Sequence, residues 1–192
     1  MGRIIVNEHL GIPRDLSREE LLRRLRPGEE NSGLTSGYLG LDVDLDEVIA
    51  SDRRALSEGG ISNDAVAKAI EELFLSDSDN YQGNSVIRRE FIYSPECPWG
   101  DYCTVSPFDL SRKVTEIILV NGQMLSEAEI FLDENGDKGL DCFPDFIKND
   151  FGMIFSDLHP HLIRDHHFFE GHATPYRVDP QRAARYLGLG LI

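Results

Sequence analysis

Five of the six histidines in this 192-residue chain lie in one short stretch, between residues 156 and 172. An aspartate and a glutamate stand among them. Imidazole nitrogens and carboxylate oxygens are donors with which proteins bind zinc, nickel, iron or manganese, so the stretch is a candidate site for a divalent transition metal. The plainer interpretation is a set of surface and helix-end histidines that bind no metal. The candidate metal ligands are His159, His161, Asp165, His166 and His172.

The secondary structure of this stretch decides which of these side chains can meet. If it is a helix that begins at its proline and ends at its glycine, His161 and Asp165 lie one turn apart. His166 and Glu170 then lie one turn apart on another face, so a helical site needs a further ligand from elsewhere in the chain. If it is a strand, His159 points the same way as His161, and the two could bind one ion. The sequence leaves both alternatives open.

Glu170 is the candidate catalytic residue. It would act as a general base, because Gly171 beside it permits the close approach of a ligand. No activated nucleophile is evident, and no stretch matches a family motif well enough to name a reaction. These residues suggest a metal-dependent hydrolase, although whether the protein is an enzyme stays open at this level.

A second stretch, residues 133–141, has oxygen donors at alternate positions, which a calcium ion prefers. It departs from an EF-hand loop because Lys138 stands where glycine is expected and Pro144 where the bidentate acid is expected. The plainer interpretation is a β-hairpin that turns on Asn-Gly, and a calcium site is the less favoured alternative. Its ligands would be Asp133, Asn135, Asp137 and Asp141.

The net charge of −15, from 34 acidic against 19 basic residues, limits the classes of partner. Such a field repels nucleic acids and anionic membranes, and it suits a basic protein as partner. The first functional hypothesis is therefore a non-enzymatic interaction protein, such as an inhibitor, immunity protein or regulatory partner of a basic protein. The hydrolase using residues 159–172 is the alternative.

The sequence also predicts a cytoplasmic location. No apolar run reaches about 18 residues, and the N-terminus lacks the apolar core of a secretory signal. The three cysteines form no Cys-x-x-Cys pair and suggest no disulfide framework.

The apolar pattern predicts an α+β fold with an N-terminal helical hairpin, a central, mainly antiparallel sheet and C-terminal helices. Capping residues place the hairpin at 44–75, and the sheet is expected from about 85 to 143, with its strongest strand at 114–120. The length suits a single domain, 1–192. The polar break near residue 80 allows a helical subdomain, 1–80, and a β-rich subdomain, 85–192.

Overall fold

A computed structural model describes residues 16–28, 37–90, 97–101, 114–121, 151–172, 174 and 176–190. In this part of the chain, helices precede and follow a four-stranded antiparallel sheet, which confirms the α+β class. The helices are α1 (Arg18–Leu25), α2 (Leu45–Glu58), α3 (Asn63–Leu75), α4 (His159–His166) and α5 (Pro180–Tyr186). The strands are β1 (Asn80–Tyr81), β2 (Asn84–Glu90), β3 (Val114–Asn121) and β4 (Gly152–Ser156).

Four of these helices begin at a side chain that accepts a hydrogen bond from a backbone N–H of the first turn, which is otherwise without an intrahelical partner. The caps are Ser17, Asp44, Ser62 and Asp179. Because Asp44 and Ser62 start consecutive helices, α2 and α3 form the helical pair expected over residues 44–75.

The sheet has the strand order β1-β2-β3-β4, and every neighbouring pair is antiparallel. Alternate residues of β3 and β4 face one large apolar cluster, which also takes side chains from α3 and α5. Residues on both sides of the break near residue 80 thus pack in one cluster. The β3 and β4 residues in it are Ile117, Leu119, Met153 and Phe155, and β2 adds Val86.

Helix α4 lies between this cluster and a second, smaller one built from α1, α2 and the segment around Tyr38. Ile163 packs in the large cluster, and Leu162 packs in the smaller one. The histidine stretch is helical from His159 to His166. The helix ends there, before Gly171, because His167 adopts a left-handed conformation with φ of 55°. Packing on two sides fixes the direction in which the remaining side chains of α4 point.

Several sequence-based expectations fall outside the described residues. These are the part of the expected sheet between residues 122 and 143 and, within it, the candidate calcium loop with Asp133, Asn135, Asp137 and Asp141. Both interpretations of that loop stay predictions. None of the helices in the described ranges has the length and apolar character that a membrane crossing needs.

Gly171 allows a close approach, but to the chain itself. Its N–H donates to the Tyr38 carbonyl oxygen at 2.7 Å, and a Cβ added there would lie 2.5 Å from the carbonyl oxygen of Leu39. We expect Gly171→Ala to lower the free energy of unfolding by about 1–3 kcal/mol, because backbone atoms must move to relieve the overlap. Urea unfolding, followed by circular dichroism, measures this.

Gly60→Ala is the control. Gly60 has a φ of +67°, but a Cβ there meets no atom within 4 Å, so this variant should lose only about 1 kcal/mol to left-handed strain. Equal losses in the two variants would contradict the close contact at Gly171.

Candidate metal centre

Four donor atoms from two distant parts of the chain meet beside α4. They are Cys97 Sγ, Asp101 Oδ1, His161 Nε2 and His166 Nε2, here called the four-donor cluster. Cys97 and Asp101 belong to a short turn, and both histidines belong to α4. The chain thus supplies the ligand from elsewhere that a helical site requires.

The six distances within the four-donor cluster are nearly equal. Cys97 Sγ lies 3.1 Å from the Asp101 oxygen, 3.2 Å from His161 Nε2 and 3.5 Å from His166 Nε2. Asp101 Oδ1 lies 3.5 Å from His161 Nε2 and 3.1 Å from His166 Nε2, and the two Nε2 atoms are 3.2 Å apart. Four points with equal separations are the corners of a regular tetrahedron.

The size of this tetrahedron matches a zinc ion. The centre of a regular tetrahedron is about 0.61 edge lengths from each corner, which here gives about 1.9–2.1 Å, against about 2.0–2.3 Å for zinc bonds to nitrogen, oxygen and sulfur. The imidazole nitrogens also face each other, because they are 3.2 Å apart while the ring centroids are 4.9 Å apart.

Hydrogen bonds alone do not account for this arrangement. The four-donor cluster offers at most three protons, one on the thiol and one on each Nε2, for six close contacts. An imidazole N–H also lies in the ring plane and points in a single direction, so it serves one acceptor well. A cation at the centre would satisfy all four donor atoms together.

Asp165 orients the first histidine. Its Oδ2 lies 2.8 Å from His161 Nδ1, one helical turn away. A carboxylate on Nδ1 fixes the ring and leaves Nε2 as the donor, which is the usual outer support of a metal-bound histidine. Asp165, expected as a ligand, is thus placed behind one.

Trp99 supports the second histidine. The indole stacks on His166 with a centroid separation of 4.1 Å and an angle of 9° between the planes. The indole also packs edge-to-face with Phe168, with the ring centroids 5.4 Å apart, so Trp99 belongs to the margin of the smaller apolar cluster. Trp99 is the one tryptophan of the chain, so its fluorescence reports directly on His166.

The turn that presents Cys97 and Asp101 is short. The Gly100 N–H donates to the Cys97 carbonyl oxygen at 3.0 Å, and Gly100 has a φ of +73°, which glycine adopts without strain. The turn therefore brings the side chains at its two ends to the same place. Cys97 and Pro98 are buried, which fixes the turn against the body of the protein.

The electrostatics of the four-donor cluster favour a positive charge. Burial lowers the pKa of His161, but Asp101 and Cys97 together outweigh it and raise that pKa to about 10. The pKa of His166 rises for the same reasons. Burial opposes ionisation of Asp101, yet its three partners hold its pKa well below the usual range. A divalent cation between the four donor atoms would supply the positive charge that this cluster favours.

His159 and Glu170 lie together in another buried group. The Ser156 N–H donates to His159 Nδ1 at 2.7 Å, so the opposite nitrogen, Nε2, carries the proton and contacts Glu170 Oε1 at 3.1 Å. The Thr174 hydroxyl donates to the other carboxylate oxygen of Glu170 at 3.1 Å. Both carboxylate oxygens of the candidate base thus have partners inside the protein.

The remaining histidines of the stretch are also apart from the four-donor cluster. His167 Nδ1 lies 2.6 Å from the Asn63 side-chain nitrogen. His172 is exposed. Of the five predicted metal ligands, the structure brings together His161 and His166 and places Asp165 beside them.

The sequence alone did not indicate Cys97 and Asp101, which lie 60 or more residues before their partners. The available signal was Cys-Pro-Trp-Gly-Asp, a thiol and a carboxylate at the ends of a glycine turn. That signal gains meaning only beside the histidines.

No protein-family model, curated protein or solved structure matches this chain. Its function must therefore be argued from the site.

Proposed function

We propose that this protein binds zinc through Cys97, Asp101, His161 and His166. The observation that supports the proposal is the near-regular tetrahedron of four donor atoms, with edges of 3.1–3.5 Å. Zinc has no geometric preference from its d electrons and is held in a tetrahedron by thiolate, imidazole and carboxylate.

The donor types and geometry favour zinc over the other common cations. Calcium and magnesium take six or more oxygen ligands, and here one donor is sulfur and two are nitrogen. Nickel(II) and copper(II) commonly prefer square or tetragonal arrangements, which four mutually equidistant donors do not provide.

The bound zinc links the turn at residues 97–101 to α4. Cys97 and His161 are 64 residues apart in sequence, so the metal closes a long loop that is open in the unfolded chain. A complete set of four protein ligands is typical of a metal that stabilises a fold.

Metal analysis of purified, untagged protein tests the proposal. We expect equimolar zinc in the wild type and loss of zinc in His161→Ala and Cys97→Ala. In the apo protein, cobalt(II) should quench the Trp99 fluorescence up to one equivalent, because the indole stacks on His166.

His172→Ala is the matched control, since this exposed histidine lies outside the four-donor cluster. It should bind zinc as the wild type does. Sub-stoichiometric metal in the wild type that His161→Ala leaves unchanged would refute the proposal, even if the fold is intact.

A further inference from the structure

The four ligands of the proposed zinc site differ in their exposure to solvent. The side chains of His161 and His166 are 16% and 9% exposed, and Cys97 is buried. The side chain of Asp101 is 51% exposed. One corner of the tetrahedron therefore faces water, and a carboxylate occupies it.

The ligands also differ in how they are supported. His161 is oriented by Asp165, and His166 is stacked on Trp99. The contacts of the Asp101 side chain among the described residues are all with other members of the four-donor cluster. No outer group within that part of the chain fixes this carboxylate, so rotation of one short side chain can remove it from the metal.

The charge at the site determines which kind of ligand can replace Asp101. A zinc ion with one thiolate, one carboxylate and two neutral imidazoles is electrically neutral overall. When the carboxylate leaves, the remaining set carries one positive charge and three protein ligands, the number found in catalytic zinc sites. An anion restores neutrality at that corner better than water does.

We propose that Asp101 is a displaceable ligand of the zinc. A small anion from solvent, which binds the metal by its own carboxylate, thiolate or similar group, takes the place of Asp101. This inference rests on the proposed zinc binding and deepens it. The zinc–oxygen bond to Asp101 breaks, the new bond forms at the same corner, and no electron is transferred. The three remaining ligands hold the metal throughout.

Cobalt(II) provides the test, because its visible spectrum reports the number and type of its ligands. Azide serves as the anionic probe. We expect azide to change the spectrum of the cobalt-substituted wild type with a saturable dependence on its concentration. In Asp101→Ala the same change should occur at azide concentrations at least about tenfold lower, because no carboxylate competes for the corner.

Asp101→Ala should also keep its metal. Its affinity for cobalt should fall by no more than about 100-fold, which is the loss typical when a residue that hydrogen-bonds a metal ligand is removed. The affinity of Cys97→Ala for cobalt should fall further. An unchanged wild-type spectrum at saturating azide, or a loss in Asp101→Ala as large as in Cys97→Ala, would overturn the inference while leaving zinc binding intact. Absence of a tetrahedral cobalt spectrum in the wild type would instead refute zinc binding itself, and this inference with it.

Discussion

Removing the metal with a chelator is expected to lower the Tm of the wild-type protein by about 8–16 °C. A ligand bound only by the folded state, at a free concentration about 1,000 times its Kd, stabilises that state by about 4 kcal/mol. For a chain of about 190 residues, each kcal/mol corresponds to about 2–4 °C in Tm. Differential scanning calorimetry with and without chelator measures the difference.

The physical reason lies in the separation of the ligands along the chain. In the folded protein, the turn at residues 97–101 meets α4, but along the chain their donors are 60 or more residues apart. The unfolded chain therefore binds zinc more weakly. Each tenfold rise in free zinc should add about 1.4 kcal/mol of stability, so the Tm should rise with the logarithm of the zinc concentration.

His161→Ala provides the control for this experiment. Its Tm should equal that of the chelated wild type and should not respond to added zinc or chelator. A chelator effect of the same size in His161→Ala would mean that the metal acts elsewhere, and a wild-type Tm independent of zinc would mean that the four-donor cluster does not bind it.

The fold was predictable where local signals were strong. Ser17, Ser62 and Asp179 are capping residues that start helices by a short-range rule, and the apolar run of β3 is typical of a strand that is buried on both faces. The end of α4 was not predictable in the same way. It depends on the left-handed His167, at a point where the chain turns so that Phe168 and Phe169 become buried in different clusters.

The metal centre was predictable only in part, for a geometric reason. On an ideal helix, residues five apart such as His161 and His166 differ by about 140° in direction, so they do not share a face. Their long side chains nevertheless meet at Nε2, beside a turn whose position depends on long-range packing. Spacing in the sequence indicates which side chains of one helix or strand lie close together. It does not indicate which side chains of two separate elements meet, as they do at this site. The basic-partner hypothesis, which rests on charge alone, stays a prediction.

The second large effect is expected at the ion pair between Asp52 and Arg177, where Arg177→Met should lower the free energy of unfolding by about 3–5 kcal/mol. The pair joins α2 to the segment before α5 through two hydrogen bonds, of 2.5 and 3.1 Å. The Asp52 side chain is only 2% exposed, and the arginine also donates to the Glu170 carbonyl oxygen. Removing the guanidinium leaves a buried carboxylate and a backbone oxygen without their partner.

The dependence on pH identifies this cause. Burial raises the pKa of Asp52, and Arg177 opposes that rise, so the variant should have a still higher folded-state pKa. A raised carboxyl pKa means that the folded state binds the proton more tightly than the unfolded state. The variant therefore regains stability relative to the wild type as pH falls, and loses it as pH rises through the folded-state pKa. Urea unfolding at several pH values measures the difference.

A second bidentate pair in the same protein supplies the control. Arg164 contacts both carboxylate oxygens of Glu71 at 2.7 Å, with the two side chains 33% and 32% exposed. Water reaches this pair, so Arg164→Met should cost about 1 kcal/mol or less. Both pairs are bidentate, but only the pair of Asp52 and Arg177 is buried. Equal losses in the two variants would show that burial does not determine the stability that Asp52 and Arg177 contribute.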